Sequence, residues 1–210
     1  MTLNEHRKTG DGLKLGRDFY ARPVLVVARA CLGTILVHRS AAGEAAGRIV
    51  EVEAYRGPQD LAAHSARGLT KRTAAMFGPP GYAYVFRLYG TSWAMNLVVA
   101  APGAPHAVLL RALEPMRGLD LMARRRGRPA DARELTNGPG KLTHALGITG
   151  KDYGRDLCAD RLFLEAADGA VIGRVGRSPR INVDYAGPWA AKPWRFYVRG
   201  NRYVSVPPRD

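Results

Sequence analysis

Between residues 33 and 113 the chain is cut by Gly and Pro into short runs rich in Val, Ile, Leu and aromatics. This punctuation constrains the fold more than any other feature. The runs Gly33 to His38, Gly47 to Tyr55, Tyr82 to Tyr89, Trp93 to Ala100 and Ala107 to Leu113 are predicted as strands of a mostly antiparallel sheet. Helical patterns are fewer. They cover Pro23 to Leu32, Met116 to Arg126, and Pro139 to Leu146, where Pro is favourable in the first turn. Near the C-terminus, Gly200-Asn201 divides two alternating runs within Arg195 to Val206, which predicts a hairpin turn. The fold class is therefore α+β, and no internal repeat is present.

A chain of 210 residues with 46% hydrophobic content is enough for one core. It is expected to form a single domain over residues 16–208, behind a flexible basic tail of residues 1–15, with order beginning near Phe19. The net charge of +14 calls for a polyanionic partner, nucleic acid ahead of a ribosome or an anionic membrane, with a merely solubilising basic surface as the bland alternative. No apolar run reaches the roughly 18 residues that span a bilayer, and the N-terminus lacks a signal peptide's apolar segment, so a soluble cytoplasmic protein is expected. Cys31 and Cys158 stand far apart with no ligand at metal spacing, so two reduced, buried thiols are expected, with neither a disulfide framework nor a zinc site.

Alternation along Gly47 to Tyr55 places Ile49, Glu51 and Glu53 on one face and Arg48, Val50 and Val52 on the other. Two carboxylates in such an apolar strand either reach a cleft, serve a task, or lie on a solvated edge. Spacing does not choose between them. Tyr55 and His64 offer flat faces that could hold a base drawn out of a helix, although each taken singly fits a core or satisfied surface position. Tyr82, Tyr84 and Phe86 share a face. Tyr89 has the other parity and stands against Gly90, where it could project as a wedge into the base stack or remain a core tyrosine. Asn96 and Arg111 are polar groups within apolar strands: a structural hydrogen bond suits Asn96, and the Glu51/Glu53 face suits Arg111. The amides opening the helix at Asn137-Gly138-Pro139-Gly140-Lys141, with the lysine, suit a phosphate or a plain cap. Arg124 to Arg126 and the stretch with Lys192, Arg195, Arg199 and Arg202 extend the positive surface, adding affinity rather than specificity.

The ordered string is more specific than its parts. Val52-Glu53-Ala54-Tyr55-x-Gly57-Pro58, Asp60, Ala62-Ala63-His64-Ser65, Tyr89-Gly90 and Met95-Asn96 are followed by Leu109-Leu110-Arg111-Ala112-Leu113-Glu114-Pro115, Gly138-Pro139-x-Lys141-Leu142 and Lys192-Pro193-x-Arg195-Phe196-Tyr197-Val198-Arg199-Gly200. From about residue 18 onwards the chain resembles the alkyladenine (3-methyladenine) DNA glycosylase family. The resemblance implies one domain with a curved antiparallel sheet, flanking helices and a protruding hairpin, working on duplex DNA without metal, cofactor or covalent intermediate; a monomer suits scanning of the duplex. It implies that Glu53 activates water with Arg111 positioning it, and that Tyr55, Ala63, His64, Phe86 and Asn96 form the base pocket. It further implies that Tyr89 fills the gap left by the flipped nucleotide and that Thr91, Gly138, Gly140 and Lys141 hold the DNA backbone. Phe86 stands where some members carry a tyrosine, and Thr91 and Ser92 where larger side chains occur. The resemblance makes Glu53 the reacting carboxylate and leaves Glu51 as the control position. The rivals are a helix-hairpin-helix glycosylase, which would be largely helical, and a non-catalytic basic nucleic-acid-binding module.

Overall fold

The computed structural model describes residues 8–9, 12–88, 90–166 and 173–206. In chain order the strands are β1 (Lys8–Thr9), β2 (Gly12–Leu13), β3 (Ile35–Ser40), β4 (Gly43–Arg56), β5 (Ala83–Leu88), β6 (Ser92–Val99), β7 (His106–Arg117), β8 (Leu162–Glu165), β9 (Val175–Ser178) and β10 (Arg195–Val198). The helices are α1 (Arg17–Tyr20), α2 (Val24–Cys31), α3 (Leu119–Arg126) and α4 (Pro139–Leu146), joined by several single-turn 3₁₀ helices. All strand pairs are antiparallel, and eight strands form one sheet. The fold is thus α+β, as the sequence implied. Its dominant sheet excludes a largely helical helix-hairpin-helix architecture.

The 14-residue strand β4 organises the sheet. Along one edge it pairs with β7 from Ala46 to Arg56, and β7 carries β6 and β5 beyond it. Along the other edge its first half pairs with β3 and its second half with β10, so the sheet forks at Ile49 and Val50. At the fork the β4/β7 register shifts twice: Ile49 faces Leu113, Glu51 faces Ala112 and Val52 faces Leu110, so Val50 and then Arg111 have no opposite residue. A bulge of this kind changes which face a side chain takes. Ile49 therefore joins Val52 and Ala54 in the main core, rather than sharing the face of Glu51 and Glu53 as strict alternation predicts.

The core lies between this sheet and the helices. Val24, Val27, Ala28 and Cys31 of α2 recur at helical spacing and pack on the same cluster as Leu97, Leu110, and Leu142, Ala145 and Leu146 of α4. Burying a leucine such as Leu110 completely contributes about 2 kcal/mol. Helix α4 approaches β6 closely: a Cβ added at Gly140 would lie 2.9 Å from the Ser92 Cβ. The thiols of Cys31 and Cys158 are free, but only Cys31 is fully buried, Cys158 being half-buried.

Three local expectations are corrected. Order begins before Phe19, because the Leu13 carbonyl accepts from Ala166 N and Leu15 N donates to Leu164 O, laying the chain along β8. Met116 and Arg117 belong to β7, not to the following helix, since Gly118 takes φ +73° and turns the chain before α3 begins. The expected hairpin over Arg195 to Val206 does not form. Strand β10 is already paired on both edges, by β4 and β9, and Ser205 N donates to Glu51 instead. Strands β8 and β9 carry too few residues to stand out in the sequence.

The turn at Gly118 tests this account. A Cβ there would stand 2.2 Å from the Glu44 carbonyl oxygen at a positive φ. Gly118→Ala is expected to cost about 2–4 kcal/mol of stability, from left-handed strain plus overpacking. Urea unfolding checks it, through a lower midpoint at an unchanged slope.

Candidate active site

A cavity of about 420 Å³ opens where the β5–β6 hairpin, the N-terminus of α4, the loop after β4 and the turn at 181–185 converge. Its walls include Tyr55, His64, Phe86, Asn96, Leu109 and Arg111, with Lys141 and Arg126 adding positive charge. Glu53 lies behind this wall, fully buried, and three of its neighbours line the cavity: Tyr55, Arg111 and Ile181. The Tyr55 hydroxyl donates to Glu53 Oε2 at 2.8 Å. Ile181 N donates to Oε1 at 2.8 Å, and Arg111 Nη1 stands 3.2 Å from the same oxygen. Burial, then the adjacent Glu53 charge, pushes the Tyr55 phenol well above its ordinary range, so Tyr55 keeps the proton it donates.

Glu51 is equally buried but differently engaged. Its Oε1 accepts from Arg111 Nε (3.0 Å), Arg195 Nε (2.8 Å) and Ser205 Oγ (2.9 Å), and its Oε2 accepts from Ser205 N (2.6 Å). Four donors hold this carboxylate, three of them on Oε1, and of the donating residues only Arg111 lines the cavity. Glu51 is not the neutral control position expected from the sequence, because removing its charge strands two buried guanidiniums. Arg111 bridges both carboxylates. Burial alone would lower its pKa, but Glu53 and Glu51 outweigh that effect and raise it. Arg195, expected on the DNA-facing surface, is buried in this cluster.

The aromatic end of the cavity is built by His64, Tyr84 and Phe86. His64 packs edge-on against Phe86 with ring centroids 4.5 Å apart. Its Nδ1 lies 2.8 Å from the Tyr84 hydroxyl and its Nε2 3.3 Å from Arg72 Nη2. A guanidinium can only donate, so Nε2 accepts and the ring proton sits on Nδ1. Burial, reinforced by Arg72 and Arg67, pulls the His64 pKa down to about 4, and the ring is neutral at physiological pH. Burial also raises Tyr84 to about 12. Asn96 donates from Nδ2 to the Tyr84 carbonyl at 3.1 Å, which fixes its amide in the wall.

The remaining candidate residues are distributed as follows. Ala62 rather than Ala63 lines the cavity, because Ala63 N turns back to the Asp60 carbonyl and caps the 3₁₀ turn His64–Arg67. Thr91, Gly138, Gly140 and Lys141 all border the opening, and Lys141 Nζ donates to Asn137 Oδ1 at 2.8 Å. Tyr89 lies outside the described residues. The sequence did not mark Arg180, Ile181 or Tyr185. Arg180 is fully buried, paired twice with Asp60 (2.5 and 2.9 Å), and stacked near Tyr55 and Trp194. Asp60 also accepts from Arg56 N and Ala62 N, so one ion pair ties the loop after β4 to the turn that offers Ile181 N. Only Asp60 carried a signal, as part of the Gly57-Pro58-x-Asp60 string. No helix among the described residues is long and apolar enough to cross a membrane.

Comparison with known proteins gives the family. The family model described as methylpurine-DNA glycosylase matches residues 18–202. A curated protein of an Anaeromyxobacter species, provisionally named 3-methyladenine DNA glycosylase, is 50% identical over 199 residues, covering 94% of this chain and 95% of its own. A protein of the same provisional name from Myxococcus xanthus is 48% identical over 194 residues, covering 92% and 94%. Another, from Methanocella arvoryzae, is 47% identical over 192 residues, covering 91% and 95%. With the family model matched across nearly the whole chain and relatives about half identical over more than nine-tenths of it, this protein belongs to the methylpurine-DNA glycosylase family.

Proposed function

We propose that this protein excises alkylated purines, such as 3-methyladenine and 7-methylguanine, from duplex DNA by flipping the damaged nucleotide into the cavity and hydrolysing its glycosidic bond. The supporting observation is the state of Glu53. A carboxylate offers about four acceptor sites, and the donors found among the described residues are Tyr55, Ile181 and Arg111, two of them on Oε1. Oε2 accepts only the Tyr55 hydroxyl among these, and so keeps acceptor capacity for a water proton behind the wall that Tyr55 and Arg111 form. Bond cleavage develops an oxocarbenium-like sugar, which an adjacent carboxylate stabilises. The C1′–N bond breaks with its electron pair leaving on the base, the water oxygen bonds to C1′, and the water proton passes to Glu53.

Each other group has a supporting part. Arg111 holds Glu53 in place while its own charge is offset by both carboxylates. Tyr55, His64 and Phe86 stack on the base, and the fixed Asn96 amide crowds purines that carry an extra exocyclic group. Phosphates of the flipped strand meet the amides at the start of α4, together with Lys141 and Thr91. Tyr89 occupies the space vacated in the duplex. All of these groups belong to this chain, which acts as a monomer in the cytoplasm or nucleoid. Water is the nucleophile, so the product is an abasic site in an uncut strand.

Incubation with methylated duplex DNA tests the reading through released methylpurine and alkali-labile abasic sites. Glu53→Gln is expected to slow single-turnover excision by about 10²–10⁴-fold, the contribution of a positioned base, while damaged-DNA binding persists. Full activity in that variant would sink the assignment. His64 supplies a pH test. Its folded pKa of about 4 lies below the ordinary 6.5, so between those values the unfolded chain binds the extra proton and this residue's share of stability falls as pH falls. NMR titration of the His64 ring should give a midpoint near 4; a midpoint near 6.5 would mean that the ring is not held against Tyr84 and Arg72.

A further inference from the structure

The two aromatic walls of the cavity already carry protein guanidiniums. Arg180 lies 4.7 Å from the Tyr55 ring centroid and Arg72 lies 5.2 Å from that of Phe86. The two differ in one respect. Arg180 is neutralised by Asp60, whereas Arg72 has no carboxylate within salt-bridge distance among the described residues. Arg72 is exposed at the rim, touches His64 Nε2, and opposes the burial-driven rise of Tyr84. Arg111, a further guanidinium at the cavity, is balanced by Glu51 and Glu53. Lys141 and Arg126 also line the cavity, but they donate to Asn137 Oδ1 and to the Leu135 and Glu134 carbonyls, so at the aromatic end, where His64 and Phe86 form one wall, the unbalanced guanidinium among the described residues is that of Arg72.

We infer that Arg72 is a specificity-determining residue that biases excision toward electrically neutral damaged purines over purines carrying a fixed positive charge. The inference rests on the reading that the cavity receives the damaged base. A purine alkylated at a ring nitrogen enters as a cation and meets Arg72 as a like charge, on a Phe86 ring whose π-face already attracts a cation. A neutral lesion such as hypoxanthine avoids both costs. During bond cleavage the electron pair of the glycosidic bond moves onto the base, and a guanidinium beside it stabilises that charge for either substrate. The effects separate kinetically. The maximum rate gains for both lesions, but kcat/KM, which counts the energy of bringing the base to the cavity, favours the neutral one.

A competition experiment reads that ratio directly. Two duplexes, one bearing 7-methylguanine and the other hypoxanthine, are mixed with limiting enzyme, and the bases released are counted. Phosphate contacts are common to both duplexes and cancel. Arg72→Gln should shift the ratio toward 7-methylguanine by about tenfold, the size of one like-charge interaction across a partly solvated gap. It should also lower the single-turnover maximum for both lesions. Arg72→Lys, which keeps the charge without the planar fork, should stay within about twofold of the parent ratio. An unchanged ratio in Arg72→Gln would show that Arg72 serves only the DNA backbone and would overturn the inference. A Lys variant that shifts as far as the Gln variant would overturn it too, because charge would not be the cause. A parent protein that releases 7-methylguanine and never hypoxanthine also refutes it, whereas release of neither base refutes the glycosylase reading itself.

Discussion

The structure depends on Arg111 standing between two buried carboxylates. Glu51, Glu53, Arg111 and Arg195 form a cluster with as many anions as cations, all of it withdrawn from water. Desolvating such groups costs several kcal/mol per ion, and the cost is offset only when nearly every lone pair and N–H finds a partner. That condition explains why so many separate segments meet here. Strand β4 supplies the acids, β7 and β10 the arginines, and the segment after β10 supplies Ser205. The double register shift at Val50 and Arg111 is part of the same solution, since it lets Arg111 turn toward the acids while Leu110 and Leu113 stay in the core. A one-residue slip of β4 against β7 would send both acids to the apolar side, so the cluster also penalises misregister.

A second buried pair does for the cavity what the first does for its floor. Arg180 and Asp60 are distant in sequence and fully enclosed, and through main-chain contacts they hold both lips of the opening. Without Asp60 the loop carrying Ala62 and His64 would lose its anchors. Without Arg180 the turn presenting Ile181 N would be free to leave Glu53. The aromatic stack around Arg180, with Tyr55 and Trp194, connects this pair to the cavity wall. The site is thus preorganised by two ion clusters embedded in one sheet, not by its loops alone.

What the sequence made legible follows from how local each signal is. The strands from β3 to β7 could be read because Gly and Pro bound them, and α2 and α4 because their apolar spacing is helical. Tyr55, His64, Phe86, Asn96 and Arg111 were visible as residues out of keeping with their runs or as parts of a known string, and the fold brings them to one cavity. Long-range pairings left no such trace. Nothing near Arg180 points to Asp60, and nothing near Ser205 points to Glu51, because a buried ion pair is specified by tertiary position. The bulge at Val50 was equally hidden, since period-two alternation carries no mark of an inserted residue. The apparent hairpin at Gly200-Asn201 misled for the same reason: its turn chemistry was sound, but a carboxylate elsewhere in the chain took the hydrogen bonds that a partner strand would have used.

The contrast between Glu51 and Glu53 follows from this. Two residues apart on one face of one strand, they are equivalent by composition, spacing and burial, so their roles must come from their neighbours. Glu51 meets two guanidiniums and both polar groups of Ser205, which makes it a fixed counter-charge. Glu53 meets a phenol, one amide and one shared guanidinium, and those donors themselves form the cavity wall. Whatever fills the cavity therefore meets all three residues bound to Glu53 but only Arg111 of those bound to Glu51. On the proposed reading, an acid that exchanges a proton needs such a boundary, whereas one that holds arginines does not. The sheet supplies both because β10 and the segment that follows it cover Glu51, while the turn at Ile181 reaches Glu53 with a single N–H.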